Sequence, residues 1–170
     1  MFEPDRVRIE SGDGDIVVDR PDPRAAFRGI RHTLWWDHLD VLYFAGYALW
    51  NYLNAPFLLL RPGIEARELE PRDDHGEVLR RLEVGFPPDV PTHSRRQVFH
   101  FDGSGLLRRL DYTAEVFGGW ARAAHHCDGH RDAGGLVVAT RRRVVPGGRR
   151  GSALPFPTLV WIRLDEVTPR

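Results

Sequence analysis

THSRRQVFHFDGSGLLRRLDY, residues 92–112, reads as a β-hairpin. Two alternating runs, 97–101 and 106–112, flank Asp102-Gly103-Ser104-Gly105, a tetrapeptide with the composition of a tight turn. Strand side chains point to opposite faces in turn. Phe99 and Phe101 therefore share one face, and Val98 and His100 the other. On the return strand Leu106, Arg108, Leu110 and Tyr112 share a face; Leu107, Arg109, Asp111 and Thr113 share the opposite one. A hairpin carrying aromatics together with His100, Arg109 and Asp111 could wall an apolar pocket with a few polar groups.

Upstream, residues 7–11 and 15–19 flank Gly12-Asp13-Gly14, an opening hairpin. Asp22-Pro23 marks a helix start over about 24–30. The most apolar segment follows, HTLWWDHLDVLYFAGYALWNYLNAPFLL, with Thr33 or Asp37 as cap and Pro56 as its stop. Leu39, Leu42, Tyr43, Gly46, Leu49, Trp50 and Leu53 recur at three- and four-residue steps, while Trp35, Trp36, Phe44, Tyr47 and Tyr52 extend the apolar surface nearly all round. Such a helix is expected to be buried on most sides.

Downstream, strands are expected at 65–70, 77–86, 120–127, 136–145 and 158–165, with turns at 71–76 and 128–135. The connections are too short for parallel crossovers. The predicted fold is a single α+β domain over residues 1–170. Its mainly antiparallel sheet is strongly curved into a half-open barrel, with the aromatic-rich helix packed in the concavity.

Composition narrows the function classes. All 24 basic residues are Arg, balanced by 24 acidic ones, so no net field draws the chain to nucleic acid or anionic membrane. Cys127 is the only cysteine, which excludes an intrachain disulfide and suits a reducing compartment. Residues 41–60 are the one membrane-span candidate, but Asn51, Asn54, Pro56 and three tyrosines interrupt it. The N-terminus has no apolar signal region. The expected location is cytoplasmic, with no nucleic-acid or membrane partner; a homodimer is one compatible assembly. No nucleotide, GxSxG or HExxH fingerprint is present, and no cofactor is implied.

GYALWNYLNAPF, FPPDVPTHSRRQVFHFDGSGLLRRLDYTAEVFGG and GGLVVATRRRVVP together resemble a mostly actinobacterial family of bacterial proteins, over roughly residues 30–165. The strand succession is similar to the half-open barrels of LolA/LppX-type carriers. That resemblance implies an apolar hollow covered by helices and used for acyl chains. The chain departs from those carriers in lacking a signal peptide and a lipobox cysteine, and fold alone does not carry function.

Three readings of the polar residues follow. The first is a cofactor-free enzyme of cyclase, isomerase or lyase type, acting on a hydrophobic or aromatic small molecule of the kind found in secondary metabolism. His100 or His93 would move a proton, Asp111 would orient it, and Arg109 or Arg142 would hold an anionic oxygen. Tyr43, Tyr47 and Trp50 would line the apolar part, with Arg142, from Arg141-Arg142-Arg143, as a ligand-binding cation. The second is a binding protein for a hydrophobic or acyl ligand in the same hollow. The third is a metalloenzyme using His93, His126 and His130, which HHCDGH at 125–130 suggests without matching a standard ligand spacing. The competing reading of those histidines is polar residues at a surface turn. For Cys127 it is core packing rather than reactivity.

Overall fold

A computed structural model of the chain describes residues 1–29, 35–74 and 76–168. Ile30, the expected end of the first helix, and Thr33, the alternative cap, lie outside the described residues. The architecture is α+β with antiparallel strands. Strands β1 (Phe2–Glu3), β2 (Arg6–Glu10) and β3 (Ile16–Pro21) form a three-stranded sheet. Helix α1 (His38–Asn54) follows. Strands β4 (Glu65–Asp74), β5 (Glu77–Gly85), β6 (Arg96–Phe101), β7 (Leu107–Thr113), β8 (Arg122–Ala133), β9 (Leu136–Pro146) and β10 (Val160–Arg163) form a seven-stranded sheet in the order β10-β9-β8-β7-β6-β5-β4. No described helix is long and apolar enough to cross a membrane.

Asp37 starts α1. Its carboxylate accepts from the backbone N–H groups of Leu39 and Asp40 at 2.9 and 3.0 Å, and Asp40 returns the bond from the Asp37 N–H at 3.0 Å. This reciprocal box satisfies donors that a helix start leaves orphaned. Arg20 of β3 bridges both carboxylates, at 2.5 and 2.6 Å, and ties the small sheet to the helix. At Gly46 the ring of Phe2 lies where a side chain would stand. The helix ends at Asn54, one residue short of the Ala55-Pro56 pair, as proline's steric demand on its predecessor requires. The segment around 23–27 is a 3-10 turn (Pro23–Phe27), shorter than the helix expected there.

The buried face of α1 differs from the expected one. Leu39, Tyr43, Tyr47, Asn51 and Tyr52 are buried, whereas Leu49 and Leu53 remain about two-fifths exposed, at 41% and 40%. The reason is polar. Tyr47 Oη and Tyr52 Oη reach His93, and Asn51 Nδ2 donates to the carbonyls of Tyr47 and Pro91. The tyrosine face can bury its mass while keeping every hydroxyl partnered, which the leucine face does not need.

The hairpin of β6 and β7 is as expected, with one change of register. Phe99 faces Leu110 and His100 faces Arg109, but Phe101 faces Leu107, so Arg108 is an extra residue. The bulge turns Leu107 into the core, where it is 4% exposed, although simple alternation puts it with Arg109. Arg108 instead reaches Asp128 at 3.4 Å and lies near Glu77 and Asp102. The Asp102–Gly105 turn is held by Asp102, whose side chain accepts from the N–H groups of Ser104 and Leu106.

The turn expected at 128–135 is largely strand. β8 runs to Ala133, and the chain reverses only at Gly134-Gly135, both at positive φ. Gly129, at φ 62, lets the strand continue past Asp128 in a conformation most side chains avoid. The expected 65–70 strand likewise extends to Asp74 across an irregularity between Leu69 and Arg72.

The middle strands of the sheet carry buried residues on both faces. Toward α1 lie Val84, Phe99, Leu110, Tyr112, Ala123, Cys127 and Val144, continuous with the helix core. Leu79, Ala124 and Val145 are also buried but stand outside that cluster. They share the opposite face with His100 and Arg109, as their pairing registers require. There Asp74 of β4 reaches Arg109 of β7 at 3.6 Å, although two strands lie between them.

Candidate functional site

The residues singled out from sequence divide among three places. On the face away from α1, Arg109, Asp111 and His100 come together as their register predicts. Arg109 Nε donates to Asp111 Oδ1 at 2.7 Å and Nη2 to Oδ2 at 3.2 Å; His100 Nε2 also meets Oδ2, at 3.1 Å. Arg109 further donates to the Gly151 carbonyl, which Arg72 holds as well at 2.6 Å. Arg109 and His100 are each 1% exposed. A cavity of about 190 Å³ adjoins Arg109 and Asp111, with Gln97, Thr113, Arg122 and Ser152 among its walls. Both Asp111 oxygens are occupied, and the network clamps the Arg149–Gly151 turn onto the sheet.

His93 stands on the other side of the sheet. Its ring stacks on Tyr112 at 4.1 Å with 5° between planes. Its Nδ1 lies 3.2 Å from Tyr47 Oη and its Nε2 2.9 Å from Tyr52 Oη, and Tyr52 Oη continues to Tyr112 Oη at 2.7 Å. Burial, with a smaller contribution from Arg24, pushes the imidazole down to about 3. Burial raises Tyr52 to about 12 and Tyr47 and Tyr112 well above their ordinary value. Every member is neutral near pH 7, and a base this weak beside acids this weak transfers no proton readily. The chain is a saturated polar seam between helix and sheet.

Arg142 occupies a third place, at the C-terminal end of α1. It is 3% exposed and opposite Cys127 in the β8–β9 register. Nη1 lies 3.3 Å from Cys127 Sγ, Nη2 donates to the Tyr52 carbonyl at 2.5 Å, and Nε has no partner among the described residues. Arg142 lines a cavity of about 280 Å³ whose other walls include Pro56, Phe57, Leu107, His130 and Ala139. His130 Nε2 lies 3.0 Å from the Leu107 carbonyl. A carbonyl only accepts, so Nε2 carries the proton and Nδ1 is the basic nitrogen of the neutral ring. Next to Arg142, His125 is fully buried, with neither nitrogen partnered among the described residues and its ring 4.2 Å from that of Tyr52. Burial, and then the Arg142 charge, holds it well below its ordinary value.

Several expectations change with this geometry. Tyr43, Tyr47 and Trp50 do not line the Arg142 cavity. Tyr43 packs between Phe27 and Phe2, Tyr47 is taken by His93, and half-buried Trp50 is not among the cavity walls. The helix approaches Arg142 only through its last turn. His93, His126 and His130 do not converge. His93 stacks on the α1 side of the sheet, while His126 faces Arg109 and Arg143 on the other. No group of three or more His, Cys, Asp or Glu suited to a metal occurs among the described residues. HHCDGH is not a surface turn: His125 and Cys127 are core positions of β8. Burial raises the Cys127 thiol to about 11, so it stays protonated and unreactive.

The pairing of His130 with Arg142 does not follow from a strand expected to end at residue 127, whereas β8 continues to Ala133. The signal was present in Gly134-Gly135, a two-residue reversal that places 130 opposite 139 on paired strands. Compared with known proteins, the chain matches no family model, no curated protein and no solved structure.

Proposed function

We propose that this protein takes a small hydrophobic molecule into the cavity at the end of α1 and performs cofactor-free acid–base chemistry on it, of the cyclase, isomerase or lyase kind. The observation that carries the reading is the pairing of His130 and Arg142 on one small, mostly apolar cavity. Ligand sites combine apolar walls with a few fixed polar groups. His130 is oriented by the Leu107 carbonyl, which leaves Nδ1 to accept a proton, and Arg142 supplies positive charge for a developing oxyanion. His100, Asp111 and Arg109 then serve as a brace, and His93 as part of the seam beneath the helix.

This use suits a half-open barrel with α1 in the concavity of the sheet. Tyr52 supports that curvature, since it meets Tyr112 of β7, His125 of β8 and Arg142 of β9. The predominance of apolar walls favours a second reading, in which the cavity only holds a hydrophobic or acyl ligand, as in the half-barrel carriers.

His130→Asn separates the two. Ligand eluted from purified protein is returned to wild type and variant in D2O and followed by NMR. An enzyme incorporates deuterium or converts the compound, and the variant still binds it but slows the reaction 100-fold or more, as loss of a general base does. A compound that stays bound and unchanged with both proteins identifies a carrier.

A further inference from the structure

We propose that the ligand of this cavity is a small hydrophobic monocarboxylate, whose carboxylate supplies the counter-ion that Arg142 lacks. The inference rests on the reading of the cavity as a ligand site and names what that site selects.

Two arginines are buried among the described residues, and they differ in one respect. Arg109 has Asp111 and Asp74 beside it. Arg142 has no carboxylate within salt-bridge distance among the described residues; its contacts are a thiol, a carbonyl and the face of Tyr52 at 5.9 Å. The one acidic group touching it, Cys127, stays protonated and cannot neutralise it. Arginine remains charged in a protein, so the unpaired cation is a standing cost.

The guanidinium has donors to spare. Of five N–H groups, two serve Cys127 and Tyr52, and Nε is buried with no partner among the described residues. Of the five buried side-chain nitrogens left unpartnered among the described residues, three, Arg142 Nε with Nδ1 and Nε2 of His125, sit around Tyr52. Buried donors are rarely left unmade unless something else completes them.

Size and lining choose the class. A volume of about 280 Å³ holds roughly nine waters at about 30 Å³ each, hence roughly nine heavy atoms. Pro56, Phe57, Leu107 and Ala139 offer nothing to a polar body, which excludes a sugar or a polyanion. A planar carboxylate matches the guanidinium fork and asks for one positive charge, which is what is present. A short fatty acid or an aryl carboxylate meets all three conditions.

The test is calorimetric titration of the full chain at neutral pH with benzoate and hexanoate, beside their isosteres benzamide and hexanamide. The acids are expected to bind about 10- to 100-fold more tightly, the range of one charge-assisted hydrogen-bonded pair. Arg142→Met should remove that preference, and Arg142→Lys should restore part of it. Because the acid–amide comparison is made on wild-type protein, it stands even if a variant fails to fold. Amides that bind as tightly as the acids, or an acid preference that survives in Arg142→Met, would overturn the carboxylate assignment and leave the cavity as a site for neutral ligands. A protein that binds neither series overturns the cavity reading together with the assignment.

Discussion

Asp111→Ala should lower the stability of the protein by about 3–5 kcal/mol, the cost of removing one partner from a buried ion pair. Arg109 would keep its charge at 1% exposure while losing the bidentate bonds to Oδ1 and Oδ2. Asp74, 3.6 Å away, and the Gly151 carbonyl are what would remain. For a domain of this size the loss corresponds to a fall in Tm of very roughly 6–20 °C, measurable by calorimetry or urea titration. A double change, Arg109→Met with Asp111→Leu, should cost less than Asp111→Ala alone, because it removes the stranded charge as well as its partner. A loss below about 1 kcal/mol for Asp111→Ala would show that Asp74 and the Gly151 carbonyl are enough to satisfy Arg109 and that the pair with Asp111 contributes little.

The second large effect is acid sensitivity well above the pH at which carboxylates titrate. His93 is pushed from its ordinary 6.5 to about 3, and His125 well below its ordinary value, both chiefly by burial. Above pH 6.5 these rings are neutral whether the chain is folded or not, and the stability they allow is fully present. As pH falls below 6.5 the unfolded chain takes up their protons and the folded one does not. Each ring then costs about 1.4 kcal/mol per pH unit until its folded value is reached. Urea titrations at pH 7, 6, 5 and 4 should therefore lose stability at roughly 2–3 kcal/mol per unit once below pH 6. Half-buried His126, whose value burial also lowers, acts in the same direction. His93→Gln should remove about 1.4 kcal/mol per pH unit from the slope whatever it does to stability at pH 7. A curve flat from pH 7 to 5 would mean that the two rings are hydrated or protonated in the folded protein.

The sequence shows where the elements are better than which way their side chains point. The antiparallel hairpin of β6 and β7 follows from alternation around Asp102–Gly105, and the meeting of His100, Arg109 and Asp111 follows from two-residue parity. Leu107 escapes that rule because a bulge is a change of register, and nothing in LLRRLDY marks Arg108 as its extra residue. The helix was legible as apolar nearly all round, which is why its buried face was not. Tyr47, Asn51 and Tyr52 are chosen by partners on β7 and in the 91–93 segment, far away in sequence. His93 and His100, seven residues apart, fall on opposite sides of a sheet because the chain enters β6 only after His93 has been committed to the helix side. The Arg142 cavity joins the ends of α1, β8 and β9 and the hairpin turn, a convergence that only the assembled fold reveals.

A ligand site in the cavity beside Arg142, as proposed, can be tested by filling that cavity. Val137 lines its rim and is 42% exposed, so Val137→Trp can occupy the space without disturbing the core. Saturation-transfer NMR with a panel of short fatty acids, aryl acids and their neutral analogues should give signals for at least one compound with wild-type protein and none with Val137→Trp. No transfer to any compound, or the same compounds bound equally well by both proteins, would contradict it.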